Sequence, residues 1–162
     1  MTLNRKQLQQ FSARAGVIGA VAVAGMAGFA GPSAALPTDP AARFTPTLTR
    51  VGGPECAAII TAEVVPQPKS GEFGVRPKIT QVGEFCSRYK VAVRWKNLDT
   101  GRENGQQHPV DEHGVIQHTV DGVIIGFGMG PGAGRVEARI VTLNDRDQEL
   151  QQISGTATFT LG

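Results

Sequence analysis

All three histidines of the chain fall within one short segment whose residue types suit a metal ion. His108, His113 and His118 lie close to Asp111 in the sequence, and imidazole together with carboxylate is a ligand set for zinc or copper. These four residues form a candidate metal site. Their spacing matches no zinc signature, and a strand entered directly from His113 would put His113 and His118 on opposite faces. A polar surface loop is the alternative interpretation.

The tripeptide Asp99-Thr100-Gly101 is the one with which aspartic proteases hold a catalytic carboxylate. Those enzymes need two carboxylates that share a proton, and their aspartate follows an apolar strand, whereas Lys96 and Asn97 precede it here. A hairpin turn explains the aspartate and the glycine without catalysis. The chain also has no serine-nucleophile elbow. The sequence therefore predicts a protein that is not an enzyme and has no cofactor, and a hydrolase ranks last among its functions.

Glycine occupies every second position from Gly126 to Gly134. A loop that holds a phosphate must open into a helix, but residues 135–143 alternate as a strand, which argues against a nucleotide site. If the glycine-rich segment is extended, Phe127 and Met129 project together from one side. Two interpretations stay open: the pair packs in the core, or it forms a small exposed patch that contacts a partner.

Basic side chains are concentrated between residues 76 and 102, where seven basic residues accompany two acidic ones. Arg88, Lys90, Arg94 and Lys96 fall on one face of a single predicted strand. Such a face attracts an anionic glycan, a lipid head group or an acidic protein. The alternative is a solvated face that keeps the protein soluble.

The first 35 residues have the order of a secretory signal peptide. Arg5, Lys6 and Arg14 precede or flank an uncharged run over residues 15–30, and small residues precede the predicted cleavage site after Ala35. The run has 16 residues, fewer than the ~20 of a spanning helix. We therefore expect cleavage, secretion and no membrane span in the mature chain, with a retained membrane anchor as the alternative.

Cleavage would change the charge balance. The whole chain has 16 basic and 14 acidic residues, and removal of three basic residues with residues 1–35 leaves 13 and 14, a net charge of −1. The basic isoelectric point thus belongs to the precursor and does not argue for nucleic acid. The expected partner lies outside the cell and is either an extracellular protein or an anionic component of the envelope.

The remaining 127 residues suffice for one domain. Residues 36–43 include Pro37 and Pro40 and predict a flexible lead-in to a domain over residues 44–162. The two cysteines of the chain, Cys56 and Cys86, predict one disulfide in an oxidising compartment. A pair of free thiols is the alternative.

Alternation with a period of two dominates this domain. The clearest strand covers residues 85–96, where four apolar residues face away from the basic ones. Weaker or shorter patterns occur near residues 58–64, 75–82, 135–143 and 153–161. Asp121-Gly122 between two β-prone runs predicts a hairpin. The pattern as a whole predicts an all-β sandwich or small barrel of about seven or eight strands.

The stretch from Tyr89 through Trp95 to Asn97, followed by Thr100-Gly101, resembles the central strand and turn of small exported immunoglobulin-like proteins of the mycobacterium and nocardia group. The glycine-rich residues 130–134 before an alternating strand are similar to a late loop of the same group. The resemblance implies export, an immunoglobulin-like antiparallel β-sandwich and no known catalysis, and it transfers no functional residue. Because Trp95 follows both cysteines, the core arrangement of antibody domains is not implied.

Two functions are therefore expected from the sequence. The first is a secreted, non-catalytic binding or interaction module whose ligand is unknown. The alternative is an exported metal-binding protein that uses the segment from His108 to His118.

Overall fold

The computed structural model describes residues 42–53 and 55–162. The predicted signal peptide and residues 36–41 of the predicted lead-in lie outside these ranges. Ala42 and Arg43, the last two lead-in residues, lie along a strand of the domain. The Val64 N–H donates to the Ala42 carbonyl at 2.8 Å, and Arg43 forms a backbone bridge with Glu63. The domain therefore begins to pair with the sheet from residue 42 onward.

The described residues form eight β-strands and no helix, and hence no helix long and apolar enough to cross a membrane. This confirms the all-β prediction. The strands are β1 (Thr47–Arg50), β2 (Ala57–Pro66), β3 (Phe73–Val82), β4 (Tyr89–Asn97), β5 (Glu103–Val110), β6 (Gly134–Leu143), β7 (Gln151–Ile153) and β8 (Gly155–Leu161).

The strands form two four-stranded antiparallel sheets. The first sheet has the order β3-β2-β1-β7, and the second has the order β5-β4-β6-β8. Both sheets contribute buried side chains to one hydrophobic core, as the inner faces of a β-sandwich do. The predicted antiparallel β-sandwich is confirmed. Its strand order places β3 beside β2, whereas antibody constant domains place their third strand in the opposite sheet.

The alternating residues of the sequence divide between the core and the outer faces as predicted. In a strand, successive side chains point to opposite sides of the sheet, so the apolar set of each strand is buried together. The buried sets include Ala58, Ile60, Ala62 and Val64 in β2; Tyr89, Val91, Val93 and Trp95 in β4; Val136, Ala138 and Ile140 in β6; and Ala157, Phe159 and Leu161 in β8.

The two sides of the sandwich differ in how the chain covers or joins the edges of the sheets. On one side, β7 and β8 are separated by Ser154 alone, so one continuous stretch of chain joins the sheets. On the other side lie β3 and β5. Pro77 lies in β3, an edge strand of the first sheet, where proline is tolerated. Residues 111–133, which we call the β5–β6 connection, run along this side, and the N–H of Ile124 donates to the Val75 carbonyl at 2.8 Å.

The hairpin predicted within the β5–β6 connection is right in its turn and wrong in its strands. Asp121 and Gly122 have φ of 52° and 70°, and the Val123 N–H donates to the Val120 carbonyl at 2.9 Å, as a two-residue hairpin turn requires. The flanking runs form only isolated bridges. A positive φ at His118 (58°) interrupts the extended backbone that a strand needs.

The predicted disulfide between Cys56 and Cys86 is present, and the described residues include no free cysteine. Cys56 directly precedes β2 in the first sheet, and Cys86 lies three residues before β4 in the second sheet. Both cysteines are buried. The disulfide therefore ties the two sheets together at one end of the sandwich.

Candidate functional site

The structure does not bring the three histidines together. His108 lies in β5 with 6% of its surface exposed, whereas His113 and His118 are exposed in the β5–β6 connection. The alternative interpretation, a polar surface loop over the whole segment, does not hold at His108, because this residue lies in β5 and its side chain is buried beside Val91. The part of the chain that the structure describes has no group of three His, Cys, Asp or Glu side chains placed to hold a metal ion.

The His108 ring is anchored by one of its two nitrogens. Nδ1 lies 3.1 Å from the carbonyl oxygen of Gln117, and a carbonyl only accepts, so Nδ1 carries the proton. Among the described residues, Nε2 has no hydrogen-bond partner, and neither has the hydroxyl of the buried Tyr89. Burial raises the pKa of Tyr89 far above its ordinary value, and the charge of Asp111 adds to that effect.

Asp111 serves the turn that follows β5. Its carboxylate accepts hydrogen bonds from the backbone N–H groups of His113 at 3.0 Å and Val115 at 2.9 Å, and from Nε2 of Gln117 at 2.9 Å. The hydrogen bond from the Val115 N–H, together with the weaker effect of the one from His113, holds the pKa of Asp111 below its usual range. Because these donors already occupy both oxygens, Asp111 acts as a turn-forming residue in this arrangement.

Asp99 likewise has a structural role in the turn between β4 and β5. Its Oδ2 accepts a hydrogen bond from the Arg135 N–H at 2.8 Å, and Gly101 has a φ of 75°, which favours glycine. The hairpin turn that the sequence offered as the alternative to a protease motif therefore accounts for both residue types. The carboxylate joins the start of β6 to this turn.

The predicted basic face is largely neutralised by acids from distant loops. Arg88 pairs with Glu112 at 3.0 Å, Lys90 with Asp147 at 2.8 Å, and Arg94 with Glu149 at 2.8 Å. Among the described residues, Lys96 is the member of this group that joins no ion pair; the ion pairs are those just named and Lys69–Glu72, Arg76–Glu63 and Arg139–Glu149. The face is consequently one of mixed charge and not a basic patch.

Phe127 and Met129 do not form a joint patch, which corrects the prediction that they project together. Met129 is 1% exposed and belongs to the core, whereas the side chain of Phe127 is fully exposed at 102%. The expected alternation required an extended backbone. The structure instead has positive φ at Gly126 (107°) and Gly128 (104°), so the segment is not an extended strand and the alternation does not apply.

The loop that carries Phe127 is fixed on both sides. The Met129 N–H donates to the Gly126 carbonyl at 3.0 Å, and the Trp95 indole N–H donates to the Gly128 carbonyl at 2.5 Å. Gly128 also lies against β5, since a Cβ on it would stand 2.7 Å from the Gly105 carbonyl oxygen. The ring of Phe127 is therefore held out in solvent by a loop whose neighbouring residues are anchored.

Two adjoining concave surfaces lie beside this loop. One, of about 610 Å³, lies on the outer face of the second sheet, where the small residues Ala92 and Gly105 are surrounded by longer side chains. The other, of about 480 Å³, includes Phe127. Both include Trp95, Glu103 and Asn104. We call the two together the β5 groove, because β5 contributes residues to each.

Sequence reasoning missed β5 as a part of the site. Residues 103–107 are all polar or glycine, so they show no apolar alternation from which a strand is predicted. One indication of β5 was available. β4 is long, and the chain directly after the Asp99-Thr100-Gly101 turn is placed to form the strand that pairs with it.

No protein-family model, no curated protein and no solved structure matches this chain.

Proposed function

We propose that this protein is a secreted, non-catalytic binding module that contacts an extracellular protein through Phe127 and the β5 groove. The observation that carries the proposal is the full exposure of Phe127 on a loop whose neighbours are anchored. A whole aromatic ring in water forgoes about 1.5–3 kcal/mol of burial free energy. An interface would recover it, and aromatic side chains are enriched at the centres of such interfaces.

The way in which Phe127 is held favours binding. The hydrogen bonds of Gly126 and Gly128 fix the backbone on either side of the ring. Little conformational freedom is then lost when a partner closes over it, and preorganisation of this kind increases affinity.

The charges around the groove favour a protein over an anionic envelope component. The groove is lined by charged side chains of both signs, five of them basic and three acidic: Lys69, Arg94, Lys96, Arg102 and Arg139, with Glu72, Glu103 and Glu137. Both signs of charge are thus interspersed around an exposed aromatic ring. A protein surface offers complementary charges of both signs, whereas a uniformly anionic surface would leave the three carboxylates facing like charge.

Secretion rests on the predicted signal peptide and is supported by the disulfide between Cys56 and Cys86, because disulfides persist in oxidising compartments. Kinship with exported immunoglobulin-like proteins stays a prediction. The two-sheet architecture supports it, and the position of β3 beside β2 departs from the strand order of antibody constant domains.

A paired substitution tests the proposal. Phe127→Ala removes the exposed ring of the β5 groove, and Phe85→Ala removes another ring, 88% exposed, in the loop that precedes β4. We expect labelled protein to bind a protein target on the exporting cells or in their medium. Phe127→Ala should weaken that binding by about 30-fold, the effect of losing an interface anchor worth about 2 kcal/mol.

The control variant Phe85→Ala should bind as the wild type does. Equal binding by all three proteins would contradict the proposal. So would saturable binding to vesicles of anionic lipid that the Phe127→Ala variant retains, because that result would assign binding to the basic side chains.

A further inference from the structure

Asn104 and Gly105 form the one Asn-Gly pair in the chain. They lie in β5, which is an edge strand of the second sheet. Asn104 is exposed and belongs to both parts of the β5 groove. A chemical change at this residue would therefore alter the surface of the groove.

The backbone N–H of Gly105 is not held by the neighbouring strand. The Asn97 N–H donates to the Arg102 carbonyl at 2.8 Å. Because the direction of the N–H and C=O groups alternates along an antiparallel strand, the backbone groups of Asn104 and Gln106 face β4, while those of Gly105 face away from β4, on the side where Gly128 lies. There the Gly105 N–H donates to Oδ1 of Asn104 itself at 2.8 Å.

This contact places a nucleophile beside an electrophile. The 2.8 Å contact with Oδ1 keeps the side-chain carbonyl of Asn104 beside the Gly105 nitrogen, and rotation of the side-chain amide would turn Cγ toward that nitrogen for attack. Holding two reacting groups in contact is what makes an intramolecular reaction fast. Glycine adds no Cβ that would hinder ring closure. We propose that Asn104 is a site of spontaneous deamidation in the folded protein.

The reaction consumes one water and releases one ammonia. A base in solution takes the proton of the Gly105 N–H, the nitrogen forms a bond to Cγ, and the bond from Cγ to the side-chain nitrogen breaks as ammonia leaves with a proton. The product is a five-membered cyclic imide. Water then opens the imide at one of its two carbonyls, and the chain contains either aspartate or isoaspartate at position 104.

The other two asparagines in the described residues lack this arrangement. Oδ1 of Asn97 accepts from the N–H groups of Asp99 and Thr100, and the N–H of the next residue, Leu98, donates to the Arg135 carbonyl. Oδ1 of Asn144 accepts from the N–H groups of Arg146 and Gln148. In neither case does the following N–H point at its own asparagine side chain, so both serve as internal controls.

Deamidation would add a negative charge to the groove beside Glu103. The isoaspartate product would also add one methylene to the backbone of β5 opposite Trp95, with which Asn104 is paired. Either product changes the surface that the two parts of the groove share.

Peptide mapping by mass spectrometry on the folded, disulfide-bonded protein tests the inference. After incubation at mildly alkaline pH, the peptide that contains Asn104 should gain about 1 Da, as expected when an amide becomes an acid. It should separate into aspartate and isoaspartate forms. Conversion should exceed that at Asn144 by at least about tenfold, the advantage of a preformed contact, and Asn104→Gln should abolish it.

A sample of the same protein, reduced and unfolded in urea, supplies the contrast. If Asn104 stays unmodified in the folded protein, the inference is overturned, whether or not the unfolded chain converts. Conversion in the unfolded chain alone would show that the fold protects this site. Binding plays no part in the measurement, so its outcome is independent of the proposed function.

Discussion

Asn97 is completely buried at the end of β4, and both the nitrogen and the oxygen of its side-chain amide form hydrogen bonds. Nδ2 donates to the carbonyls of Pro131 at 3.2 Å and Ala133 at 3.0 Å, and Oδ1 accepts from the N–H groups of Asp99 and Thr100, both at 3.0 Å. One side chain thus connects the turn between β4 and β5 to the end of the glycine-rich segment.

Replacing Asn97 by alanine should reduce the free energy of unfolding by about 2–3 kcal/mol, because several buried backbone groups lose their partner. Urea unfolding of Asn97→Ala measures the loss. Asn97→Asp is the matched control, since it retains the acceptor and loses the donor, and it should destabilise as well. A loss below about 0.5 kcal/mol in Asn97→Ala, the range of ordinary surface substitutions, would contradict this role.

The protein should be less stable in acid, because folding lowers the pKa of three carboxyl groups near its surface. The Lys90 ammonium donates a hydrogen bond to Asp147 and holds the pKa of that carboxyl below its usual range. Hydrogen bonds from Val115 and His113 do the same for Asp111, and its own backbone N–H together with Arg88 does so for Glu112. A pKa lowered by folding stabilises the protein above the unfolded pKa, about 4, and this contribution is lost as the pH falls through the folded value.

We therefore expect the urea midpoint to fall as the pH drops below about 4. The variant Asp111→Asn should show a shallower fall over the same interval, because one of the titrating groups is gone. Urea unfolding at a series of pH values, followed by the fluorescence of Trp95, gives both curves. Superimposable pH profiles for the variant and the wild type would show that Asp111 makes no such contribution.

At the scale of elements, the loop that carries Phe127 depends on two glycines with different surroundings. Gly126 and Gly128 have nearly the same φ, 107° and 104°. A Cβ on Gly126 would meet no atom within 4 Å, whereas a Cβ on Gly128 would stand 2.7 Å from the Gly105 carbonyl oxygen. The pair separates the effect of backbone conformation from that of contact with β5.

Both substitutions by alanine should destabilise the protein, since each imposes a backbone strain of about 1–3 kcal/mol. Gly128→Ala should cost at least about 1 kcal/mol more than Gly126→Ala, because overpacking adds to the strain. Thermal unfolding gives the difference, and the fluorescence of Trp95, which donates to the Gly128 carbonyl, should change in Gly128→Ala alone. Equal losses in the two variants would mean that Gly128 does not pack on β5.

Strands with an apolar face could be predicted from the sequence, and those without one could not. The alternation of Tyr89, Val91, Val93 and Trp95 predicted β4, because burial of one face imposes that pattern. β5 has polar side chains over most of its length and becomes a strand because β4 supplies its hydrogen bonds. Its place in the sheet is a tertiary effect that the local sequence does not record.

The candidate site was predictable only in part, for the same physical reason. The residue types of the glycine-rich segment identified Phe127 as a candidate contact residue. That Phe127 is exposed while Met129 is buried depends on the positive φ of Gly126 and Gly128, and glycine adopts positive or negative φ equally well. The basic residues of β4 were evident in the sequence. The acids that neutralise three of them come from loops up to 57 residues away, and only the fold brings these together.

At the scale of the whole molecule, the disulfide between Cys56 and Cys86 links the two sheets across a separation of 30 residues. The variant Cys56→Ser should lower the free energy of unfolding by about 3–4 kcal/mol, mainly because the unfolded chain regains freedom. We expect the fold to remain, since the core extends over both sheets. Far-ultraviolet circular dichroism and urea unfolding test both parts.

The double variant Cys56→Ser/Cys86→Ser serves as the control for that measurement. It leaves no unpaired thiol, so it separates loss of the disulfide from reactions of a free cysteine. An unchanged urea midpoint in both variants would show that the disulfide does not stabilise the folded state.

The central claim is that Phe127 is the contact point with an extracellular protein. The most direct measurement places a photo-crosslinking phenylalanine analogue at position 127, and separately at position 85, whose side chain is also exposed, and irradiates the protein on the surface of the exporting cells. We predict one discrete protein adduct from position 127 and none from position 85. No adduct from position 127, or the same adducts from both positions, would contradict the claim.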